Sequence, residues 1–433
     1  MSIIQPSVLP GMMELLPEDQ VVFNKMKNII EDTFKKYAFL PIDTPVMEKL
    51  EILLAKGGGE TTKQVYTLKK GDTDIGLRFD LTVPLARYVA QHFNDLTFPF
   101  RRYHIGKVYR GERNQRGRYR EFYQCDVDII GNNSISIYND AEIPSVMSEI
   151  FYKLGLKNFK YLFNNRKVLN GYFEFLGIED FVFALRTIDK IEKIGVDNVK
   201  KELLENNISE ETIDKLLDFL YFKGSNEEIL EYLKNLNMDN DLFKEGLEEL
   251  ELVYYNMIAY GVNEENIEIK LSITRGLDYY TGSVYETIIP GYESLGSICS
   301  GGRYDDLAGN YTKQKLPGVG LSIGLTRLYF QLKEANLLNL DVKMPFDAII
   351  LPMKGYEGES IELLTRLRKN DKIVQAYMEG GKLKKQFNYA DKLNIPYVIV
   401  IGEDEVKNNF YTLRNMKTGE QKTVDFEYLV NNI

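Results

Sequence analysis

Seven arginines, Arg101, Arg102, Arg110, Arg113, Arg116, Arg118 and Arg120, fall between positions 101 and 120 of a chain whose net charge is −10. Such a density in an acidic protein marks a local anion site. Guanidinium groups present planar, bidentate donors that match phosphate oxygens, so a triphosphate or a nucleic-acid backbone fits this stretch. Tyr119, Phe122 and Tyr123 are interleaved with the arginines, and a flat ring beside phosphate-binding cations can stack on a base. The bland alternative is a solvated edge hairpin whose charges block edge pairing. A second chemical stretch is Thr274-Arg275-Gly276-Leu277-Asp278-Tyr279-Tyr280-Thr281-Gly282. It joins one arginine, two tyrosines and two glycines without the apolar excess of a core, as a substrate pocket would.

The arginines need a scaffold, and the pattern around them supplies one. Positions 100–112 and 119–130 read as two long strands joined by the polar loop Arg113-Asn114-Gln115-Arg116-Gly117-Arg118. Alternation places Tyr123, Cys125, Val127 and Ile129 on one face and Phe122, Gln124, Asp126 and Asp128 on the other. The first face is a core. The second is a polar floor, and buried carboxylates and amides need partners, which favours a ligand cavity.

Upstream, positions 18–37 form an amphipathic helix with Val22, Met26, Ile29, Ile30, Phe34 and Tyr37 on one stripe, opened by Pro17. It leads to Thr44-Pro45-Val46-Met47, where extended chain is favoured. Positions 181–265 change character, with isoleucines and leucines at helical spacing among lysines and glutamates. This predicts an all-helical insertion, in which Ser225 and Glu228 form a capping box. Glycines then accumulate through Gly301-Gly302-Arg303-Tyr304 and Gly318-Val319-Gly320-Leu321-Ser322-Ile323-Gly324. Their spacing is not that of a dinucleotide loop; it fits a strand entering a helix that carries Arg327. Beyond Pro345, strands at 346–351, 372–377 and 396–401 alternate with helices at 360–368 and 382–392, a small α/β domain. Lys382, Lys384 and Lys385 with Gln386 make a basic patch there.

Composition narrows the function classes. The 433 residues predict two or three domains, and 44% hydrophobic with 27% charged residues is ordinary for a globular protein. The start lacks a basic segment and an apolar segment, and no apolar run is long enough to cross a bilayer, which predicts a cytoplasmic protein with no membrane association. Cys125 and Cys299 stand far apart and read as reduced thiols. With only His92 and His104 present, neither a zinc site nor a Ser-His-Asp site has its parts.

Arg110-Gly111-Glu112 followed by Gly117-Arg118-Tyr119-Arg120-Glu121-Phe122 resembles motif 2 of the class II aminoacyl-tRNA synthetases. Positions 318–327 resemble their motif 3, and the helix running to Pro45 resembles motif 1. Arg275-Gly276-Leu277-Asp278-Tyr279-Tyr280 and Ser300-Gly301-Gly302-Arg303-Tyr304-Asp305 are similar to two peptides of the histidyl-tRNA synthetase family. The resemblance implies an α+β fold. An antiparallel catalytic sheet would occupy 1–180 and 266–335, interrupted by the helical insertion at 181–265. An α/β anticodon-binding domain would follow at 345–433. It also implies a homodimer acting on L-histidine, ATP and tRNA(His), with Mg2+ accompanying ATP and no dedicated protein ligands for it.

Carried onto this sequence, the resemblance has Arg110 on the ATP α-phosphate and Arg118 and Arg327 on the β- and γ-phosphates. Phe122 stacks on adenine and Glu112 helps position it. Asp80, Thr82, Gln124, Asp128, Tyr279, Tyr280 and Tyr304 line the histidine pocket, and Gln115 and Arg120 touch the tRNA acceptor end. Arg275 is the candidate for stabilising charge at the reacting phosphorus, with Arg110 as the second catalytic cation. The chemistry is consistent with these roles, since a carboxylate can hold an ammonium, and acceptors can meet imidazole donors. The competing expectation is a histidine-binding regulatory subunit of ATP phosphoribosyltransferase, which shares the fold and does not charge tRNA. Retention of Arg275, Arg110, Arg327 and the segment beyond Pro345 argues against it.

Overall fold

The computed structural model describes residues 3–55, 63–112, 117–188, 191–273, 280–338, 340 and 344–433. In chain order its strands are β1 (Leu40–Pro41), β2 (Met47–Lys49), β3 (Thr67–Lys70), β4 (Thr73–Leu77), β5 (Phe100–Tyr109), β6 (Glu121–Ile130), β7 (Lys160–Asn165) and β8 (Ile267–Ile269). They continue with β9 (Ser283–Ile288), β10 (Cys299–Tyr304), β11 (Gly318–Gly324), β12 (Ala348–Pro352), β13 (Val374–Ala376), β14 (Tyr397–Ile401), β15 (Tyr411–Asn415) and β16 (Gln421–Val424). The chain forms two compact units, one of residues 1–14 and 23–340, the other of residues 15–22 and 341–433.

The first unit is built on an eight-stranded sheet in the order β1-β5-β6-β11-β10-β9-β7-β8. The five inner pairings are antiparallel; only the terminal pairings β1–β5 and β7–β8 are parallel. The arginine-bearing hairpin is therefore β5–β6, and it lies inside the sheet, flanked by β1 and β11. That position removes the edge-hairpin alternative. Alternation along β6 is as the sequence predicts: Cys125, Val127 and Ile129 are fully buried on one face, against helix Tyr138–Lys153 and its neighbours. Gly318 and Gly320 explain the glycine richness of β11. A Cβ at Gly318 would lie 2.6 Å from the Tyr304 ring, and one at Gly320 would lie 2.1 Å from Asp128 Oδ1. Two large side chains occupy the space those glycines leave.

The helix predicted at 18–37 spans Pro17–Lys36 and buries Phe23, Met26, Ile30, Thr33 and Phe34. Between 181 and 265 the described residues form helices only, apart from a short 3-10 turn at Glu264–Asn266. The Ser225 hydroxyl accepts from Glu228 N–H, and Glu228 returns a carboxylate oxygen to Ser225 N–H. The last long helix, Asp241–Ala259, packs on helix Arg166–Phe175 through glycines on both sides. Cβ atoms at Gly171 and Gly246 would meet Phe243 and Val168 at 2.6 and 2.5 Å.

The second unit carries a sheet in the order β13-β12-β14-β15-β16, parallel for the first three strands and antiparallel beyond. Both faces of β12 are covered. Ile350 packs with Leu363, Leu367 and Leu429, while Ile349 and Leu351 pack with Ala390 and Ile395. Strands β15 and β16 were not expected from the sequence, because Tyr411-Thr412-Leu413-Arg414-Asn415 offers a single buried apolar residue to the core. Lys382, Lys384 and Lys385 are exposed, whereas Gln386 is buried and donates from Nε2 to Pro352 O at 3.2 Å.

Candidate active site

Cross-strand register arranges the polar face of the sheet in rows. Arg102 on β5 stands opposite Asp128 on β6, which stands opposite Gly320 on β11 and then Gly302 on β10. The next row is His104, Asp126, Ser322 and Ser300, and the third is Gly106, Gln124 and Gly324. Neighbouring strands lie about 4.8 Å apart, so side chains within a row touch.

In the first row the Arg102 Nη2 lies 2.5 Å from Asp128 Oδ2, and Tyr304 donates its hydroxyl to Asp128 Oδ1 at 3.0 Å. All three are buried. Burial pushes the Asp128 carboxyl up from its ordinary pKa, while the Arg102 charge and the Tyr304 hydrogen bond oppose that shift. Among the described residues the Nε and Nη1 of Arg102 have no acceptor. In the second row Ser322 Oγ donates to Asp126 Oδ1 at 2.5 Å. Burial raises Asp126 to about 7 against the pull of Arg102. His104 bonds Asp43 through Nε2 at 2.8 Å, and burial together with the Arg102 and Arg78 charges lowers it to about 4.

One wall comes from the turn before helix Thr82–Gln91. There Asp80 Oδ1 accepts from Val83 N–H at 3.0 Å, while its buried Oδ2 has no partner among the described residues. Desolvation raises Asp80 to about 6. Thr82, Asp126, Asp128, Tyr280, Ser300, Tyr304 and Ser322 line one cavity over the rows.

At the hairpin end, Arg110 Nε donates to Phe79 O at 2.9 Å and its guanidinium lies 5.1 Å from the centre of the Phe122 ring. Arg118 Nη1 is 3.7 Å from Glu112 Oε2. Arg327, in helix Leu325–Glu334, donates from Nη2 to Leu295 O at 2.6 Å. Arg120 is tied to backbone, from Nε to Glu112 O at 3.0 Å and from its N–H to Gly11 O at 2.7 Å. A cationic, ring-bearing hairpin thus ends on the same sheet whose floor is rich in acceptors.

Residues 11–328 match the family model described as histidyl-tRNA synthetase, and residues 347–433 match an anticodon binding domain. The chain is 58% identical over 430 residues to the histidine–tRNA ligase of Finegoldia magna, covering 99% of this chain and all of that one. It is 56% identical to the histidine–tRNA ligase of Clostridium tetani, covering 100% of this chain and 98% of the relative. The chain belongs to the histidyl-tRNA synthetase family. Its fold agrees, since the histidyl-tRNA synthetase of Nostoc sp. PCC 7120 superposes with a TM-score of 0.89 at 38% identity, each chain fully covered.

Of the family-derived candidates, Thr82, Asp128, Tyr280 and Tyr304 meet around one cavity. Gln124 joins them through Ser322, to which its Nε2 donates at 2.9 Å, and Asp80 stands two residues from Thr82. Arg275, Tyr279 and Gln115 lie outside the described residues. Sequence reasoning counted Arg102 only among the arginines and gave Asp126, Ser322 and Ser300 no role. Alternation had already put Asp126 on the floor; nothing local links it to Ser322, 196 residues away.

Proposed function

We propose a residue-level reading of the family's reaction. The chain is a histidine–tRNA ligase, acting on histidine, ATP and tRNA(His). The acceptor-rich floor of Asp128, Gln124, Thr82, Tyr280 and Tyr304, with Asp80 beside it, receives the amino acid, to which Tyr279 also contributes, and Asp80 and Asp128 oppose the ammonium and imidazole donors. Leaving such buried acceptors unpaired penalises amino acids that lack two ring donors. Arg110, Arg118 and Arg327 hold the triphosphate, Phe122 stacks on adenine and Glu112 orients it.

In the first step a histidine carboxylate oxygen attacks the α-phosphorus. The new P–O bond forms as the bond to the β-phosphate oxygen breaks, and pyrophosphate leaves. Negative charge grows at an in-line phosphoryl centre, which fixed cations stabilise; Arg275 and Arg110 take that role. In the second step a terminal ribose hydroxyl of tRNA attacks the acyl carbon, AMP leaves, and the hydroxyl proton is released. Gln115 and Arg120 touch that end of the tRNA. The helices at 181–265 would clamp the acceptor arm between the catalytic parts at 1–180 and 266–335, while 345–433 reads the anticodon. A homodimer working in the cytoplasm completes the reading.

Among the described residues no three His, Cys, Asp or Glu side chains are grouped to hold a metal ion. Mg2+ enters this reading as the counter-ion of ATP. Among the described residues no helix is long and apolar enough to cross a membrane.

The observation that carries this reading is the shared sheet, with an acceptor floor on rows across β5, β6 and β11 and a cationic hairpin at the end of β5 and β6. Histidine-dependent exchange of pyrophosphate into ATP is the test. Wild-type protein exchanges label only when histidine is present, and Arg275→Ala lowers the exchange rate about 100-fold or more while histidine binding changes little. Equal losses in both would remove Arg275 from the transition state. Absence of exchange in the wild type would return the regulatory-subunit reading.

A further inference from the structure

The second and third rows of the floor contain a chain of hydrogen bonds with a fixed direction. Asp126 Oδ1 is 2.5 Å from Ser322 Oγ, and Ser322 Oγ is 2.9 Å from Gln124 Nε2. Ser322 donates to Asp126, the direction that an ionised carboxylate, which only accepts, requires. Its oxygen is then left as an acceptor. An acceptor there selects the amino end of the Gln124 amide, which turns Gln124 Oε1 away from Ser322. That oxygen is buried and has no partner among the described residues. Asp126 and Gln124 are 2% and 9% exposed, while Ser322 between them is half-buried at the cavity wall.

We propose that Asp126 and Ser322 are positioning residues that hold the Gln124 amide with its carbonyl oxygen presented to an N–H donor of the bound amino acid. The inference rests on the histidine-site reading above and extends it to two residues with no role there. Without the relay the amide has two orientations. One presents an acceptor to the substrate, while the other presents an N–H to an N–H. Fixing the orientation before the substrate arrives removes that cost from binding, and it bears on histidine rather than on ATP. Arg102 supports the relay from the neighbouring row, since its charge favours the ionised form of Asp126.

The test is the Michaelis constant for each substrate in pyrophosphate exchange, measured for wild type, Ser322→Ala, Ser322→Thr and Asp126→Asn. Ser322→Ala removes the link, and KM for histidine rises roughly tenfold, the scale of one hydrogen bond to a buried partner, with kcat and KM for ATP within twofold. Ser322→Thr keeps the hydroxyl and restores KM. Asp126→Asn keeps the volume and loses the acceptor-only character, so the direction of the chain is lost and KM for histidine rises severalfold. It also serves if Ser322→Ala fails to fold. In a Gln124→Met background, Ser322→Ala adds no further rise in KM, because there is no amide left to orient. An unchanged histidine KM in both Ser322→Ala and Asp126→Asn would overturn the relay. So would losses shared equally by histidine and ATP, or failure of threonine to restore KM. A wild-type protein with no histidine-dependent exchange would instead refute the functional reading, which separates the two failures.

Discussion

The two faces of the catalytic sheet each bury an arginine against an aspartate, and the two pairs differ in how completely they are bonded. On the back face Arg303 donates from Nε to Asp140 Oδ1 at 3.0 Å and from Nη2 to Oδ2 at 2.7 Å. It further donates to the carbonyls of Ile135 and Ser136 at 3.4 and 3.2 Å. On the front face Arg102 reaches Asp128 by one nitrogen, and its Nε and Nη1 have no acceptor among the described residues. Both arginines are buried, at 7% and 0% exposure. A closed, bidentate pair locks helix Tyr138–Lys153 to β10, and its geometry needs nothing further. An open pair beside Asp126 and Asp80 keeps polar capacity in reserve at the floor where a charged substrate would enter. A buried guanidinium left partly unsatisfied costs stability, so the open pair on the front face points to a ligand that would complete it.

The largest effect should come from opening the closed pair. Arg303→Met leaves Asp140 fully buried without its cation and should destabilise the protein by about 3–5 kcal/mol, read as a lowered denaturation midpoint. Adding Asp140→Leu should recover most of the loss, because an apolar pair of similar volume replaces a charge left alone. Any folded Arg303→Met protein should keep its KM for histidine. If stability barely moves, the back-face pair is not the lock described.

Arg102→Met should reverse that pattern. Asp128 keeps the Tyr304 hydroxyl and can take up a proton, for which burial has already prepared it, so the stability loss should be smaller, about 1–2 kcal/mol. Histidine recognition should suffer more, with kcat/KM for histidine falling roughly 100-fold, since the floor loses the cation whose charge favours the ionised forms of Asp128 and Asp126. Steady-state exchange kinetics alongside thermal melts decide the matter. Equal stability losses for Arg102→Met and Arg303→Met, with kcat/KM intact, would erase the distinction between the faces.

Only part of this contrast is legible in the sequence. Period-two alternation on β6 separates Cys125, Val127 and Ile129 from Gln124, Asp126 and Asp128, so the polar floor is visible in the residue pattern alone. The same period sends adjacent residues of Ser300-Gly301-Gly302-Arg303-Tyr304 to opposite faces, Tyr304 to Asp128 and Arg303 to Asp140. Reading that stretch as one family peptide hides the division of labour. The partners lie 176 and 163 residues away in the chain, and no local pattern pairs them. The same distance concealed Ser322 from Asp126. The glycines of β11 were legible as sites of close approach, but not what approaches them, because that depends on the register of β11 against β6 and β10.

The smallest effect tests whether the front face stores its charge at a cost. The folded pKa of Asp126, about 7, lies above the ordinary 3.8 because burial disfavours the anion. A raised folded pKa means that the folded state holds a proton the unfolded state has released. The contribution is fully present below the unfolded value and is lost as pH rises through about 7. Asp126→Asn carries no such charge at any pH. Between pH 6 and 8 the wild type should therefore lose about 1.4 kcal/mol relative to Asp126→Asn, one pH unit of a single titration. His104, lowered to about 4, and Asp80, raised to about 6, titrate in both proteins and largely cancel in the difference. Paired melting curves at the two pH values supply the measurement. The gap between the proteins should widen in favour of asparagine toward pH 8. A constant gap would mean that Asp126 incurs no penalty for ionising in place, leaving the front face as well compensated as the back.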